Sequence, residues 1–188
     1  MKKARWWVVW ATPVAMAATA GRSEVWLDFE AADAAAGWVA GRGATLAVVD
    51  AEPLPTGLPK GEGPAGRAVR LTAPAGSGAY LSAVPPELST ACALSLWVRC
   101  AGEDVTNVDA EVQFVEPDGR SRFWRRVTLE RAGWQRVEFP LRFFRTTGAR
   151  LPDWQQVRYF NLYARQAVTM DVDSVCVERR EGCGPEIS

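Results

Sequence analysis

The chain of 188 residues contains no histidine. That removes the side chain that most often acts as a general base near neutral pH and most often ligates transition metals. Neither sign of charge is in excess, since 22 Lys and Arg balance 22 Asp and Glu. Composition therefore offers no electrostatic case for nucleic acid or an anionic membrane as partner. No internal repeat is visible, no long helical apolar period, and no linker between two cores. The four cysteines lack the paired C-x-x-C spacing of a zinc knuckle. Chemistry by carboxylates, Tyr, Lys or Arg is what remains open.

What is present begins with the N-terminus. Lys2, Lys3 and Arg5 precede an apolar, small-residue run from Trp6 to Ala20, and Ala18-Thr19-Ala20 fits an A-x-A cleavage site before Gly21. This pattern predicts a secretory signal peptide over 1–20, one domain over 21–180 and a short tail over 181–188. The mature protein is then secreted or periplasmic, with no membrane attachment after cleavage. A transmembrane anchor is the competing reading, but about 15 residues interrupted by Pro13 fall short of the roughly 20 a span requires.

An even cysteine set suits an oxidising compartment. Cys92 and Cys100 bracket one strand, ALSLWVR. Eight residues at about 3.3 Å each separate them by roughly 26 Å, against a disulfide limit near 7 Å. Two connectivities remain, 92–176 with 100–183 or 92–183 with 100–176, and buried free thiols are the alternative.

The rest of the chain alternates apolar and polar residues in short runs, which predicts an all-β, antiparallel β-sandwich of jelly-roll type. Strands are expected at 24–30, 44–49, 68–72, 79–83, 93–100, 108–114 and 122–129, then around Val137 and Phe139, Phe160 and Leu162, and Val175 and Val177. Ala31–Ala36 reads as one helical turn, Glu116–Gly119 as a tight hairpin turn, and the Pro/Gly-rich 50–66 as a loop. Arg125 breaks the inward alternation of its strand.

The outward residues of the central strands are Ser95, Trp97, Arg99; Asp109, Glu111, Gln113; Arg122, Trp124, Arg126; Tyr159, Asn161, Tyr163. If these strands share one sheet, its wet face carries aromatics among hydrogen-bonding groups. Flat rings pack on the C–H face of a sugar while amides, carboxylates and guanidinium groups bond its hydroxyls. The face thus predicts a glycan site of Trp97, Trp124, Tyr159, Tyr163, Glu111, Gln113, Arg126 and Asn161, with Arg99, Arg122 and Arg126 leaving room for an acidic glycan. In the competing reading a loop such as 50–66 covers the aromatics. Phe143-Phe144-Arg145 is a second aromatic candidate, unless its rings cap the sandwich.

Several segments together, LDFE, Gly37-Trp38, GAYLS, LSLWVR, GWQRVEFPL and DVDSVCVE, resemble the β-jelly-roll carbohydrate-binding modules of the galactose-binding-like superfamily. Family 11 modules and the complex I intermediate-associated domain share a G-W-x-x-V-x-(F/I)-P-(L/F) segment. The resemblance spans about Glu24 to Arg180 and implies a non-catalytic, exported glycan-binding module. It also implies a structural Ca2+, with Asp28, Glu30, Asp171 and Asp173 at the matching positions and backbone carbonyls completing the oxygen shell. A structural or assembly protein using the same face for a protein partner is the alternative function. A jelly-roll glycosidase or polysaccharide lyase is the other, with Asp109 and Glu111 spaced for an inverting pair or Tyr159 or Tyr163 as base beside Arg126.

Overall fold

The computed structural model describes residues 22–51, 63–64, 66–84, 86–101, 108–129, 133–147 and 152–179. They form two antiparallel sheets packed face to face as a single sandwich, with two short 3-10 turns, Pro86–Thr90 and Leu141–Phe143, as their helical structure. The leader and tail expected at 1–20 and 181–188, and most of the 50–66 loop, lie outside the described residues.

The first sheet has the order β3 (Thr45–Asp50), β4 (Arg67–Ala73), β12 (Val168–Arg179), β6 (Ala93–Cys100), β9 (Gln135–Pro140). The edge of β12 that β4 occupies along 168–172 is taken by β1 (Arg22–Leu27) along 175–179. The second sheet has the order β10 (Arg145–Thr146), β8 (Arg122–Leu129), β7 (Val108–Val115), β11 (Tyr159–Ala164), β5 (Ser77–Leu81), β2 (Trp38–Ala40).

Alternation explains most of the core. Val108, Ala110, Val112 and Phe114 of β7, Phe160 and Leu162 of β11, and Leu94, Leu96 and Val98 of β6 all point inward and are buried. Phe114 lies at the aromatic centre, with ring centroids 5.4 Å from both Trp154 and Phe160 and 5.6 Å from Phe144. In β12 the parity changes once. Asp173 pairs with Trp97 and Cys176 with Ser95, so β12 spends one more residue than β6 over that interval. Ser174 takes a φ of 47° there, and this bulge lets Val172 and Val175 both face inward.

Local expectations meet several corrections, the first being that the strand expected at 24–30 runs Arg22–Leu27. Residues 31–36 make successive turns, with the Ala34 and Ala36 N–H groups donating to the Ala31 and Asp33 carbonyls, and no helix forms. The strand expected at 79–83 is shifted toward the chain's start, Ser77–Leu81, and pairs with a short strand at Trp38–Ala40 that alternation over three residues is too brief to reveal. Neither disulfide connectivity forms as a set, because Cys100 and Cys176 are both free thiols. Cys100 points into the core, whereas Cys176 lies opposite Ser95 on the outer side, so the sheet itself separates them. Cys92 is disulfide-bonded.

Arg125, anomalous in the sequence, occupies an inward position on β8 next to the short edge strand β10. Its guanidinium leaves the sandwich there, donating to the Phe143 carbonyl at 3.2 Å and sitting over the Phe143 ring. Phe143 and Phe144 divide the two readings offered for them: Phe144 is buried in the core, and Phe143 is exposed beneath Arg142 and Arg125.

Candidate functional site

The outer face of the second sheet is built from rows of residues that stand opposite one another on successive strands. One row runs Arg145, Trp124, Gln113, Asn161, Tyr80, Val39 across all six strands. The next runs Arg126, Glu111, Tyr163, Gly78, and the row on the other side runs Arg122, Val115, Tyr159. Cross-strand partners share a face, so these residues form one surface with strands about 4.8 Å apart.

Seven of the eight residues assigned to the glycan site by sequence lie here: Trp124, Tyr159, Tyr163, Glu111, Gln113, Arg126 and Asn161. Trp97 does not. Its strand β6 lies between β12 and β9 in the first sheet, so Trp97 is on the opposite side of the molecule from Trp124. There it is 9% exposed, packed with Ala68 and Trp134. Ser95 and Arg99 go with it, and both are buried.

A cleft of about 800 Å3 opens over part of the second sheet. Tyr80, Tyr159, Asn161, Tyr163 and Val115 line it along the strands. The Gly41–Gly43 turn and the Pro74–Ser77 turn form one wall, and Gly119 and Arg122 another. All three tyrosines of the chain are therefore in the cleft. Tyr80 and Tyr159 meet edge to face, with centroids 5.9 Å apart and planes at 87°, which makes a corner of two apolar ring surfaces. One backbone and one side-chain bond hold the first wall: Gly41 N–H donates to the Gly78 carbonyl at 2.8 Å, and Ser77 Oγ–H to the Arg42 carbonyl at 2.9 Å. Gly78 is required at its position, because a Cβ there would collide with the Leu162 carbonyl and lie 2.9 Å from Tyr163 Cα.

Polar groups beside the tyrosines are tied in a chain. Arg165 Nη1 donates to Glu111 Oε1 at 2.6 Å, Gln113 Nε2 to Glu111 Oε2 at 2.8 Å, and Asn161 Nδ2 to Gln113 Oε1 at 2.9 Å. The Glu111 hydrogen bond and charge raise the Arg165 pKa further above its ordinary value. Glu111 and Gln113 are buried, so they position the chain's end rather than line the cleft. Asn161 is that end. With its Nδ2 turned to Gln113, its Oδ1 is the acceptor available to the cleft. Asp109 accepts from Thr128 Oγ1 at 2.8 Å and lies 3.8 Å from Arg126. Trp124 is outside the cleft, with the Arg145 guanidinium 5.6 Å from its ring centroid.

Of the residues assigned by sequence, Tyr159, Asn161 and Tyr163 line the cleft; the others that line it, Tyr80 and Arg42 among them, were left out of the site. Tyr80 had a signal in GAYLS, where Ala79 and Leu81 point inward and Tyr80 must point out. Arg42 had none, since a turn residue has no periodicity.

The four acidic residues matched to a calcium site do not make one cation cage. Asp171 is fully buried and its two oxygens are engaged by arginines: Arg70 Nε at 2.7 Å and Nη2 at 3.0 Å, and Arg99 Nε at 2.7 Å. Two guanidinium groups already neutralise it. Asp173 Oδ1 accepts from the Ser174 N–H, and the Glu30 carboxylate closes over Gly66 and accepts from the Arg67 N–H at 3.2 Å. Asp28 Oδ1 accepts from the Glu30 N–H at 3.4 Å. Among the described residues no group of three or more such side chains is placed to hold a metal.

No protein-family model matches the chain, and no curated protein matches it in sequence. Solved structures do match. The family 11 carbohydrate-binding module of a cellulosomal cellulase of Clostridium thermocellum aligns with a TM-score of 0.56 at 14% identity, covering 83% of this chain and 94% of the module. The Clostridium thermocellum family 11 module in complex with a β-1,3-1,4-mixed-linked tetrasaccharide aligns with a TM-score of 0.56 at 15% identity, covering 82% and 94%. An exo-β-agarase aligns with a TM-score of 0.61 at 11% identity, over 86% of this chain but 26% of the enzyme. The shared property is the fold: this chain is an antiparallel sandwich structurally similar to family 11 carbohydrate-binding modules, which it spans almost end to end.

Proposed function

We propose that the chain is an exported, non-catalytic glycan-binding module whose site is the tyrosine cleft of the second sheet. The observation that carries this reading is the convergence of Tyr80, Tyr159 and Tyr163 with the preset Asn161 amide on one open sheet face. Rings supply apolar platforms for sugar C–H faces, and the amide supplies a fixed hydrogen-bond partner for a hydroxyl. Export follows from the basic, apolar and A-x-A pattern of residues 1–20. A structurally similar module holds a tetrasaccharide, which supports the same class of ligand here. The Asp109–Glu111 pair considered for inverting hydrolysis is engaged within the sheet, with Glu111 bonded to Arg165 and Gln113 and Asp109 to Thr128.

The test is affinity electrophoresis through gels containing mixed-linkage β-glucan, xylan, agarose or polygalacturonate. The mature chain is expected to be retarded by at least one of them, and Tyr80→Ala/Tyr159→Ala to migrate freely while keeping its β-sheet circular dichroism. Retardation of the folded double variant would place the site elsewhere. Absence of retardation in every gel, together with stoichiometric capture of a protein by the same face, would replace the glycan with a protein partner.

A further inference from the structure

We propose that the cleft takes an anionic glycan, one bearing uronate carboxylates or sulfate esters, gripped by Arg42 and Arg122; this rests on the glycan-binding reading of the same site. Among the described residues lining the cleft, Arg42 and Arg122 are the charged ones, and no carboxylate joins them. The chain as a whole is neutral, so this local excess of positive charge is a matter of placement and not of composition.

Carboxylates on the neighbouring strands and turns lie outside the cleft lining, Glu116 among them as a buried residue. Glu111 is taken by Arg165 and Gln113. Asp109 is taken by Thr128 and faces Arg126. Asp118, in the turn beside Gly119, keeps its charge but is turned onto the Arg120 and Ser121 N–H groups and Ser121 Oγ–H, each at 2.8 Å, and does not line the cleft. Neither Arg42 nor Arg122 forms an ion pair with a described residue, whereas Arg70, Arg99, Arg136, Arg165 and Arg179 all do. Cations left unpaired at the mouth of an aromatic cleft are suited to an anion arriving with the ligand.

Both arginines stand on anchored backbone. The Arg42 carbonyl is held by Ser77 Oγ, and the Arg122 N–H donates to Thr147 Oγ1 at 3.2 Å. They also bracket the tyrosines. Arg122 is level with Tyr159 through Val115, while Arg42 sits beside Ser77, which pairs with Ala164 next to Tyr163. Tyr159 and Tyr163 are four residues apart along β11, about 13 Å at strand rise. Cations rooted at the two ends of that row suit a chain with repeated negative charges better than a single charged sugar. A guanidinium fork matches the paired oxygens of a carboxylate or sulfate.

The experiment compares charged glycans with neutral versions of the same backbone by isothermal titration calorimetry on the mature chain. Polygalacturonate is set against its carboxyl-reduced form, and carrageenan against its desulfated form, with mixed-linkage β-glucan as an uncharged reference. The expected result is a preference of about tenfold or more for one charged form over its neutral counterpart, falling as NaCl is raised and abolished in Arg42→Gln/Arg122→Gln. Which pair shows the preference identifies carboxylate or sulfate as the recognised group. Equal binding of charged and neutral forms, or a charge preference that survives in the double variant, overturns the inference and leaves the glycan reading standing. Binding of no glycan by the unaltered chain overturns both.

Discussion

Glu111→Gln isolates what the buried polar chain contributes. A carboxylate can only accept, so Gln113 must turn its Nε2 toward Glu111 and its Oε1 toward β11. Asn161 must then offer Nδ2 to Gln113 and present Oδ1 to the cleft. After the substitution, the new amide keeps its oxygen toward Arg165, whose guanidinium only donates, and its nitrogen faces Gln113. Gln113 reverses, Asn161 reverses in turn, and the cleft meets an N–H2 donor in place of an oxygen acceptor. The Gln113 bond to a charged acceptor, worth about 1.5–3 kcal/mol, becomes an amide–amide bond worth about 1. The expected loss of stability is therefore about 1 kcal/mol in urea denaturation, with nothing counted for the exposed Arg165 end. At the ligand, a lost net hydrogen bond of about 0.5–1.5 kcal/mol weakens binding about 2- to 12-fold. Titration calorimetry of Glu111→Gln, Asn161→Ala and the double variant, with whichever glycan retards the chain, measures it. Since the effect travels through Asn161, the double variant should bind as Asn161→Ala does. Additive weakening in the double variant would refute the relay, as would unchanged binding by Glu111→Gln.

Trp97→Ala should lower stability by about 3–5 kcal/mol in urea denaturation, because Trp97 is buried against Ala68 and Trp134, and glycan retardation of the folded fraction should be unchanged. Gly78→Ala should cost about 1–3 kcal/mol and weaken glycan binding, since β5 and β11 must separate where the Leu162 carbonyl approaches; a thermal melt matching the unaltered chain would contradict that packing. Burial, and then the charge of Asp171, push the Cys100 thiol from its ordinary 9.0 up to about 11. The folded state thus holds this proton more tightly than the unfolded state, so its contribution is complete below pH 9 and is lost as pH rises toward 11, on the order of 2–3 kcal/mol. Urea midpoints measured from pH 8 to 11 should fall more for the unaltered chain than for Cys100→Ala.

Much of the fold was legible because its signals are local. The strands at 93–100 and 122–129 fall where alternation places them, and Glu116–Gly119 forms the expected turn, with Gly119 at a φ of 66°. Inward and outward assignments on β7 and β11 hold residue by residue. Asp171 shows where local reading stops. The resemblance to jelly-roll modules implied it as a ligand for a hard cation, and nothing near it in sequence reveals that Arg70 and Arg99 arrive from two neighbouring strands to neutralise it. Tyr80 was within reach of the same pattern that assigned Tyr159, whereas Arg42 depends on a turn folding against β5.

By itself the sequence determined an antiparallel sandwich and, strand by strand, which side chains face away from the core. A period of two is a property of one strand and needs no knowledge of its neighbours. A sandwich, however, has two outer faces, and both are written in the same alternation. Only the tertiary structure decided that Trp97 belongs to one and Trp124 to the other, that Trp97 is buried on the first while the second opens into a cleft, and that the chain's three tyrosines meet there. Sheet membership follows from pairing between segments distant in the chain, such as β6 with β12 and β5 with β11, and those contacts leave no periodic trace in either segment alone.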